Sequence, residues 1–309
     1  MELIRGLHNL KPQHRGCVAT IGNFDGVHLG HQAVLGQLAE KAALMGLPSV
    51  VITFEPQPRE VFSHGATPPR LTRFREKMQA LRRFSVDRVL CIRFNGRFAA
   101  LSADDFIQRL LLDGLDVRYL VVGDDFRFGH QRQGTFAQLE AAGERFGFQV
   151  AKMHTFHVDG VRISSTLIRQ ALEDGDLQTA EKLLGRPYRM SGRVARGDAR
   201  GRTIGFPTAN IHLHRKASPI QGVYAVEVFG LENEPLQGVA NVGTRPTVDG
   251  TRTLLEIHIL DFNENVYRRY VQVDFLHKIR SEQKFESLDA LKAQINQDIV
   301  SARAFFAGE

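Results

Sequence analysis

The first half of the chain alternates strand-length apolar runs with amphipathic ones, and this limits the available folds more than any other feature. Runs at 17–21, 50–54, 89–92, 119–122 and 149–153 are strand-length. Between them, 31–45, 74–84, 103–112 and 136–146 carry apolar residues at helical spacing. Strands joined by helix-length crossovers run parallel, and a parallel sheet is covered by helices on both faces. The spacing predicts an α/β domain whose ligands bind beyond the carboxyl ends of its strands. The loops at that end, 22–30, 55–58, 123–129 and 162–166, are polar, and together they make one cleft.

Past Leu184 the pattern changes. Leu184-Gly185-Arg186-Pro187 stops a helix, and the strands that follow are no longer separated by helices. Runs at 189–194, 222–229, 236–242, 253–259 and 270–275, divided by Gly-, Asn- and Pro-bearing turns, predict a small antiparallel barrel. A closing helix is expected over 288–306, with Leu291, Ile295, Ile299 and Phe305 apolar. A length of 309 residues suits two domains, here 1–184 and 185–309.

Chemistry concentrates first at residues 20–31, Thr-Ile-Gly-Asn-Phe-Asp-Gly-Val-His-Leu-Gly-His. His28 and His31 stand one helical turn apart where a strand ends and a helix begins. There the backbone amides lack intrahelical acceptors and the helix dipole favours anions. A phosphate would meet main-chain donors and two imidazoles. Two histidines at this spacing also fit half of a metal site or an ordinary capped helix start. A second stretch, Arg162-Ile163-Ser164-Ser165-Thr166-Leu167-Ile168-Arg169, precedes another helical run. A Ser/Thr helix cap explains one of its hydroxyls, but not three between two arginines, which suit the outer phosphates of a nucleotide.

In the second half, glycines at 197, 201 and 205 permit turns and close approach of backbone to a ligand. Pro207 stiffens the segment presenting Thr208 and Asn210, whose side-chain oxygens suit Mg²⁺ and phosphate. Taken alone, such a loop is equally a structural turn. Glu256 alternates with Leu255 and Ile257, so it faces either into the barrel, where a carboxylate needs a role, or out to water.

GNFDGVHLGHQ, RISSTLIR, GRTIGFPTANI, NVGTRPTV (241–248) and LEIHILDF (255–262) share their order and spacing with one family. The chain resembles the bacterial bifunctional riboflavin kinase/FMN adenylyltransferases, or prokaryotic-type FAD synthetases, from residue 16 to the final helix. The resemblance implies a Rossmann-like nucleotidylyltransferase domain followed by a six-stranded kinase barrel. It implies two Mg²⁺-dependent reactions: riboflavin and ATP giving FMN, then FMN and ATP giving FAD and pyrophosphate. On this reading His28 and His31 meet the phosphates of ATP beside the backbone of Gly22, Asn23 and Phe24. Arg162, Ser164, Ser165 and Thr166 hold the pyrophosphate. Glu256 is the base for the ribityl hydroxyl, Thr208 and Asn210 hold Mg²⁺ and phosphate, and Gly197, Gly201 and Gly205 admit the nucleotide. Phe62 and Phe128 match the family's flavin-facing aromatics, although with 21 phenylalanines in the chain either also reads as core. Many relatives carry Asn where Asp125 stands, near adenine and ribose. A carboxylate accepts but does not donate, which leaves the role of Asp125 open.

Composition excludes little else. Forty basic against 34 acidic residues give +6, densest at Arg186–Arg202, where only Tyr188 offers stacking and no tryptophan exists. Phosphorylated small molecules account for that excess without nucleic acid. Cys17 and Cys91 are far apart and form no CxxC, so no disulfide framework or zinc knuckle is expected. Neither a signal peptide nor a membrane span is expected, which points to the cytoplasm. The oligomeric state stays open between monomer and weak oligomer. Alternative functions are a nucleotidylyltransferase acting on another phosphorylated acceptor, or a flavin- or RNA-binding regulator that retains the fold.

Overall fold

A computed structural model describes residues 1–63, 67–153, 156–196, 205–213, 215, 217–247 and 250–308, with only the backbone described for 245–247 and 250–252. Two compact units emerge: Met1–Thr67 with Thr72–Ser164, and Pro68–Leu71 with Ser165–Glu309.

The first unit is built on a six-stranded, wholly parallel sheet: β1 (Glu2–Arg5), β2 (Cys17–Ile21), β3 (Ser49–Phe54), β4 (Arg88–Ile92), β5 (Val117–Gly123) and β6 (Gln149–Met153). Every residue of β2 and β3 is buried, as a sheet covered on both faces requires. On one face Val18, Val51 and Val89 pack under helices Leu29–Met45 and Phe74–Leu81; on the other, Ile52, Leu90 and Leu120 meet Leu110 and Leu139. The edge strand β1 is not among the predicted strands, because only Ile4 of its four residues is buried and no apolar run marks it. The helix expected over 103–112 is α-helical at Ala103–Phe106 and continues as a π-helix over Ile107–Leu112.

Strand order β1-β4-β3-β2-β5-β6 means that the chain winds from β2 through β3 and β4 to one side, then through β5 and β6 to the other. The reversal lies between β2 and β5. Loops leaving those two strands diverge and open a crevice at their carboxyl ends. A short hairpin, β7 (His157–Val158) and β8 (Val161–Arg162), completes this unit.

The second unit begins with helices Ser165–Asp174 and Leu177–Leu184. A closed antiparallel barrel follows: β9 (Tyr188–Ala195), β10 (Ala209–His212), β11 (Gly222–Phe229), β12 (Leu236–Thr247), β13 (Gly250–Ile259) and β14 (Tyr270–Arg280). Closure through the β9–β10 pair removes the sheet's open edges. The short strand β10 is not among the predicted strands, since only four residues follow the Gly- and Pro-bearing loop. The final helix, Leu288–Ala307, lays Ile299, Ala302 and Phe305 over Val223, Ala225 and Val239. Asp298 fixes it there, accepting from Arg280 Nε at 2.8 Å and Nη2 at 2.7 Å. Among the described residues no helix is long and apolar enough to cross a membrane. Cys17 and Cys91 are free and buried, and burial pushes the Cys17 thiol up to about 12.

Leu177, Ala180, Leu183 and Leu184 are buried, and their helix packs on β9 and β14 of the barrel. Each of the three leucines contributes ~1.5–3 kcal/mol. A fragment starting at Ser165 should therefore melt at least about 10 °C above one starting at Gly185 when both are followed by circular dichroism. Coincident melting curves would show that the helix adds nothing to the barrel.

Candidate active sites

In the first unit the loop after β2 reaches the first helix through a turn with φ 48° at Phe24, 86° at Gly26 and 45° at Val27. His28 is the helix N-cap: its Nδ1 accepts from the His31 amide at 3.3 Å. That bond fixes the tautomer. A neutral His28 with Nδ1 accepting carries its proton on Nε2, which is left as a donor. The imidazoles of His28 and His31 stack with centroids 3.6 Å apart, and the buried ring of Phe24 lies 5.0 Å from His31. Gly30 suits this packing, since a Cβ there would stand 3.3 Å from the His28 ring, closer than an ordinary contact. A side chain at Gly22 would meet the Phe24 ring at 3.0 Å.

His31 keeps partial exposure as a residue, but its Nδ1 is buried with no hydrogen-bond partner. Burial first, then the neighbouring His28 and the ammonium of Lys77, hold its pKa well below the usual imidazole range. Lys77 is wholly buried. Nothing in the sequence marks it, because a lysine on an amphipathic helix ordinarily reads as solvated. The loop thus offers the imidazole of His31, its pKa lowered, beside the capping ring of His28.

The loop after β5 stands across the winding reversal and carries Asp125, which is exposed. Arg162, on β8, faces this loop: its Nη2 lies 3.4 Å from Asp125 and 3.7 Å from Asp124. Ser164 closes the first unit, and Ser165 and Thr166 open the first helix of the second. Arg169 does not stand free beside them as an anion clamp requires. Its guanidinium donates to the Pro69 carbonyl at 2.7 Å and the Ser165 carbonyl at 3.1 Å.

Phe62 and Phe128 are not neighbours. Phe62 is 58% exposed and packs edge-on against Phe94 at 5.6 Å. Phe128 is buried, stacked with Phe126 at 5.7 Å and tilted against Phe106 at 5.0 Å. Phe98 links the two ends, lying 5.8 Å from Phe94 and 6.0 Å from Phe106. The result is one continuous aromatic wall beside the sheet.

In the second unit Asn210 is directly opposite Glu256 on β13, which is directly opposite Asn241 on β12. Opposed residues share a face. Their chain neighbours Leu255, Ile257, Ala240 and Val242 are buried as barrel core, so this polar row lies on the outer face. Glu256 is not a carboxylate inside the barrel. Thr208 stands just before β10, and the Asn210 amide reaches its carbonyl at 3.4 Å. His258, two residues beyond Glu256, donates from Nδ1 to the Pro207 carbonyl at 3.0 Å and meets Phe206 edge-on at 5.8 Å. It ties the Thr208–Asn210 segment to the strand bearing Glu256. Gly205 is exposed with φ 94°, whereas Gly197 and Gly201 lie outside the described residues. Among the described residues no cluster of three or more His, Cys, Asp or Glu could hold a metal ion.

Each unit matches a different family. The sequence model described as FAD synthetase matches residues 10–167, and that described as riboflavin kinase matches 184–306. Together they mark a two-activity flavin-metabolising chain. It is 57% identical over 308 residues to the bifunctional riboflavin kinase/FMN adenylyltransferase of Escherichia coli strain K12, covering 99% of this chain and 98% of that one. The bifunctional riboflavin kinase/FMN adenylyltransferase of Haemophilus influenzae is 54% identical over 306 residues, covering 99% of each chain. A macrolide-efflux protein from Streptococcus pneumoniae has a crystal structure of similar fold, with TM-score 0.82, 32% identity, and 98% of this chain and 99% of that one covered. The chain belongs to the bifunctional riboflavin kinase/FMN adenylyltransferase family.

The lowered pKa of His31 carries a pH signature. An unfolded histidine titrates near ~6.5, so as pH falls the unfolded chain takes up this proton before the folded one. The contribution is whole above that pKa and is lost as pH falls below it. Between about pH 7.5 and 5.5, the wild type should therefore lose more melting temperature than His31→Gln. Equal losses would show that the folded imidazole titrates normally.

Proposed function

We propose that each unit catalyses one step of FAD synthesis with the residues described above: riboflavin phosphorylation on the barrel, FMN adenylylation on the parallel-sheet unit. ATP serves both steps, in keeping with a cytoplasmic enzyme. The capped and stacked pair His28–His31 at the winding reversal carries the adenylylation assignment.

In adenylylation the nucleophile is the terminal phosphate of FMN, already an anion, so no strong base is needed. Catalysis is alignment and neutralisation of charge as the α-phosphate of ATP is attacked. His28, with its proton on Nε2, and the neutral His31 donate to phosphate oxygens, beside the backbone of Gly22, Asn23 and Phe24. Arg162 turns from Asp124 and Asp125 to hold the departing pyrophosphate with Ser164. Asp125, an acceptor only, takes a hydrogen bond from the adenosine. The exposed ring of Phe62 stacks on the isoalloxazine, and Phe128 backs the aromatic wall from the core.

In phosphorylation the nucleophile is a neutral alcohol, so a base is required. Glu256 lies on the barrel's outer face, open to a substrate, and removes the proton from the ribityl hydroxyl. Thr208, just before the adjacent strand β10, and Asn210, on it, present neutral oxygens. These fit Mg²⁺, which typically arrives with nucleotide phosphates and keeps few protein ligands. Bound there, the ion would neutralise charge on the transferring phosphoryl group. Gly205, with φ 94°, lets the nucleotide approach the backbone.

Separating the activities tests this. Glu256→Gln should lower riboflavin phosphorylation by ~10²–10⁴-fold through kcat and leave adenylylation of supplied FMN near normal. His31→Ala should do the reverse, costing ~10²–10³-fold in FAD formation. Chromatography of the flavin products reads both. Parallel loss of both activities in either folded variant would contradict the assignment.

A further inference from the structure

Phe24, Gly26 and Val27 all have positive φ, a conformation that a β-branched valine in particular resists. Such a turn persists only where its surroundings over-determine it. The surroundings here are specific. Thr72, 46 residues along the chain from Gly26, accepts the Gly26 amide on Oγ1 at 3.0 Å. Its hydroxyl then donates to Asp25 Oδ1 at 3.2 Å, and its own amide donates to the same oxygen at 2.9 Å. Asp25 and Thr72 are only 2% and 5% exposed. The turn is held on its other side too, where Gln32 Nε2 donates to the Val27 carbonyl at 2.9 Å.

We infer that Thr72 is a positioning residue for FMN adenylylation: its hydroxyl, gripped by Asp25, fixes the turn that aims His28 and His31. The inference rests on the proposed assignment of this loop to the phosphates of ATP. Asp25 lies in the same loop, between β2 and the first helix. In the structure its Oδ1 is occupied inside the protein by Thr72, so its part is to hold the brace. Each link follows from the last: Thr72 orders Gly26, Gly26 leads through Val27 to His28, and His28 caps and stacks on His31. Without the hydroxyl the Gly26 amide loses its acceptor, the turn relaxes, and the imidazoles lose alignment rather than chemical competence. Misalignment of groups that act in the transition state lowers turnover more than substrate binding.

The test uses the full chain with Mg²⁺, ATP and FMN, comparing Thr72→Val, which keeps the shape without the hydroxyl, and Thr72→Ser, which keeps the hydroxyl. Thr72→Val should lose ~10–100-fold in adenylylation kcat, the range typical of removing a residue that orients catalytic groups. The KM for FMN and riboflavin kinase activity should stay within about threefold of wild type, and Thr72→Ser should recover most of the loss. Amide exchange over residues 22–31 should quicken in Thr72→Val and not in Thr72→Ser. Should Thr72→Val fail to fold, Thr72→Ala carries the same expectation. Wild-type turnover in the hydroxyl-free variant, equal impairment of Val and Ser, or a parallel fall in kinase activity would each overturn the inference. His31→Ala assayed alongside separates the two levels. If it is inactive while Thr72→Val is fully active, only the brace is wrong; if it is fully active, both the loop assignment and the brace fall.

Discussion

A helix N-terminus leaves its first amides without intrahelical acceptors, and in this chain the amide of His31 is taken up by Nδ1 of His28. Much of the first site follows from that bond. It sets the tautomer of one imidazole, brings the second against it at 3.6 Å, and leaves little room for a side chain at residue 30. The winding reversal between β2 and β5 then sets this pair opposite the acidic loop that holds Arg162. Burial and the charge of Lys77 keep His31 neutral. A neutral donor suits the alignment of two polyanions without retaining the product pyrophosphate as tightly as a fixed charge would.

The barrel reaches phosphate chemistry by a different route. Closure of six strands consumes the inward-facing side chains as core, so reactive groups must lie on the outer face. The register of β10, β13 and β12 sets Asn210, Glu256 and Asn241 side by side there. On the proposed assignment, the difference between the sites follows their nucleophiles. An FMN phosphate needs donors and no base, and the first unit supplies imidazoles and an arginine. An alcohol needs a base, and the barrel supplies a carboxylate. The riboflavin kinase match over 184–306 also sets aside a nucleotidylyltransferase for some unrelated acceptor, which would have no use for this barrel.

What was legible in the sequence was local. The all-buried strands β2 and β3, the strand-to-helix junction carrying His28 and His31, and the alternation around Glu256 each lie within a few residues of chain. Features built by tertiary contact were not. The edge strand β1 has one buried residue to announce it, and β10 is four residues long. Alternation placed Glu256 on one face of its strand but could not say which face was the core; the closed barrel decides for the outside. Arg169 reads as a phosphate ligand until its guanidinium is seen on the carbonyls of Pro69 and Ser165. The bonds from Thr72 to Asp25 and Gly26 join parts of the chain that no motif connects.

The central claim is that two chemically independent sites on one chain act in sequence, and trans-complementation tests it most directly. Neither Glu256→Gln nor His31→Ala alone should convert riboflavin to FAD efficiently, because one makes little FMN and the other does not adenylate it. Mixed in equal amounts with riboflavin, ATP and Mg²⁺, the two variants should accumulate FAD after a lag in which free FMN builds up. A mixture that yields no more FAD than either variant alone, with both folded and each retaining its remaining activity, would contradict the account.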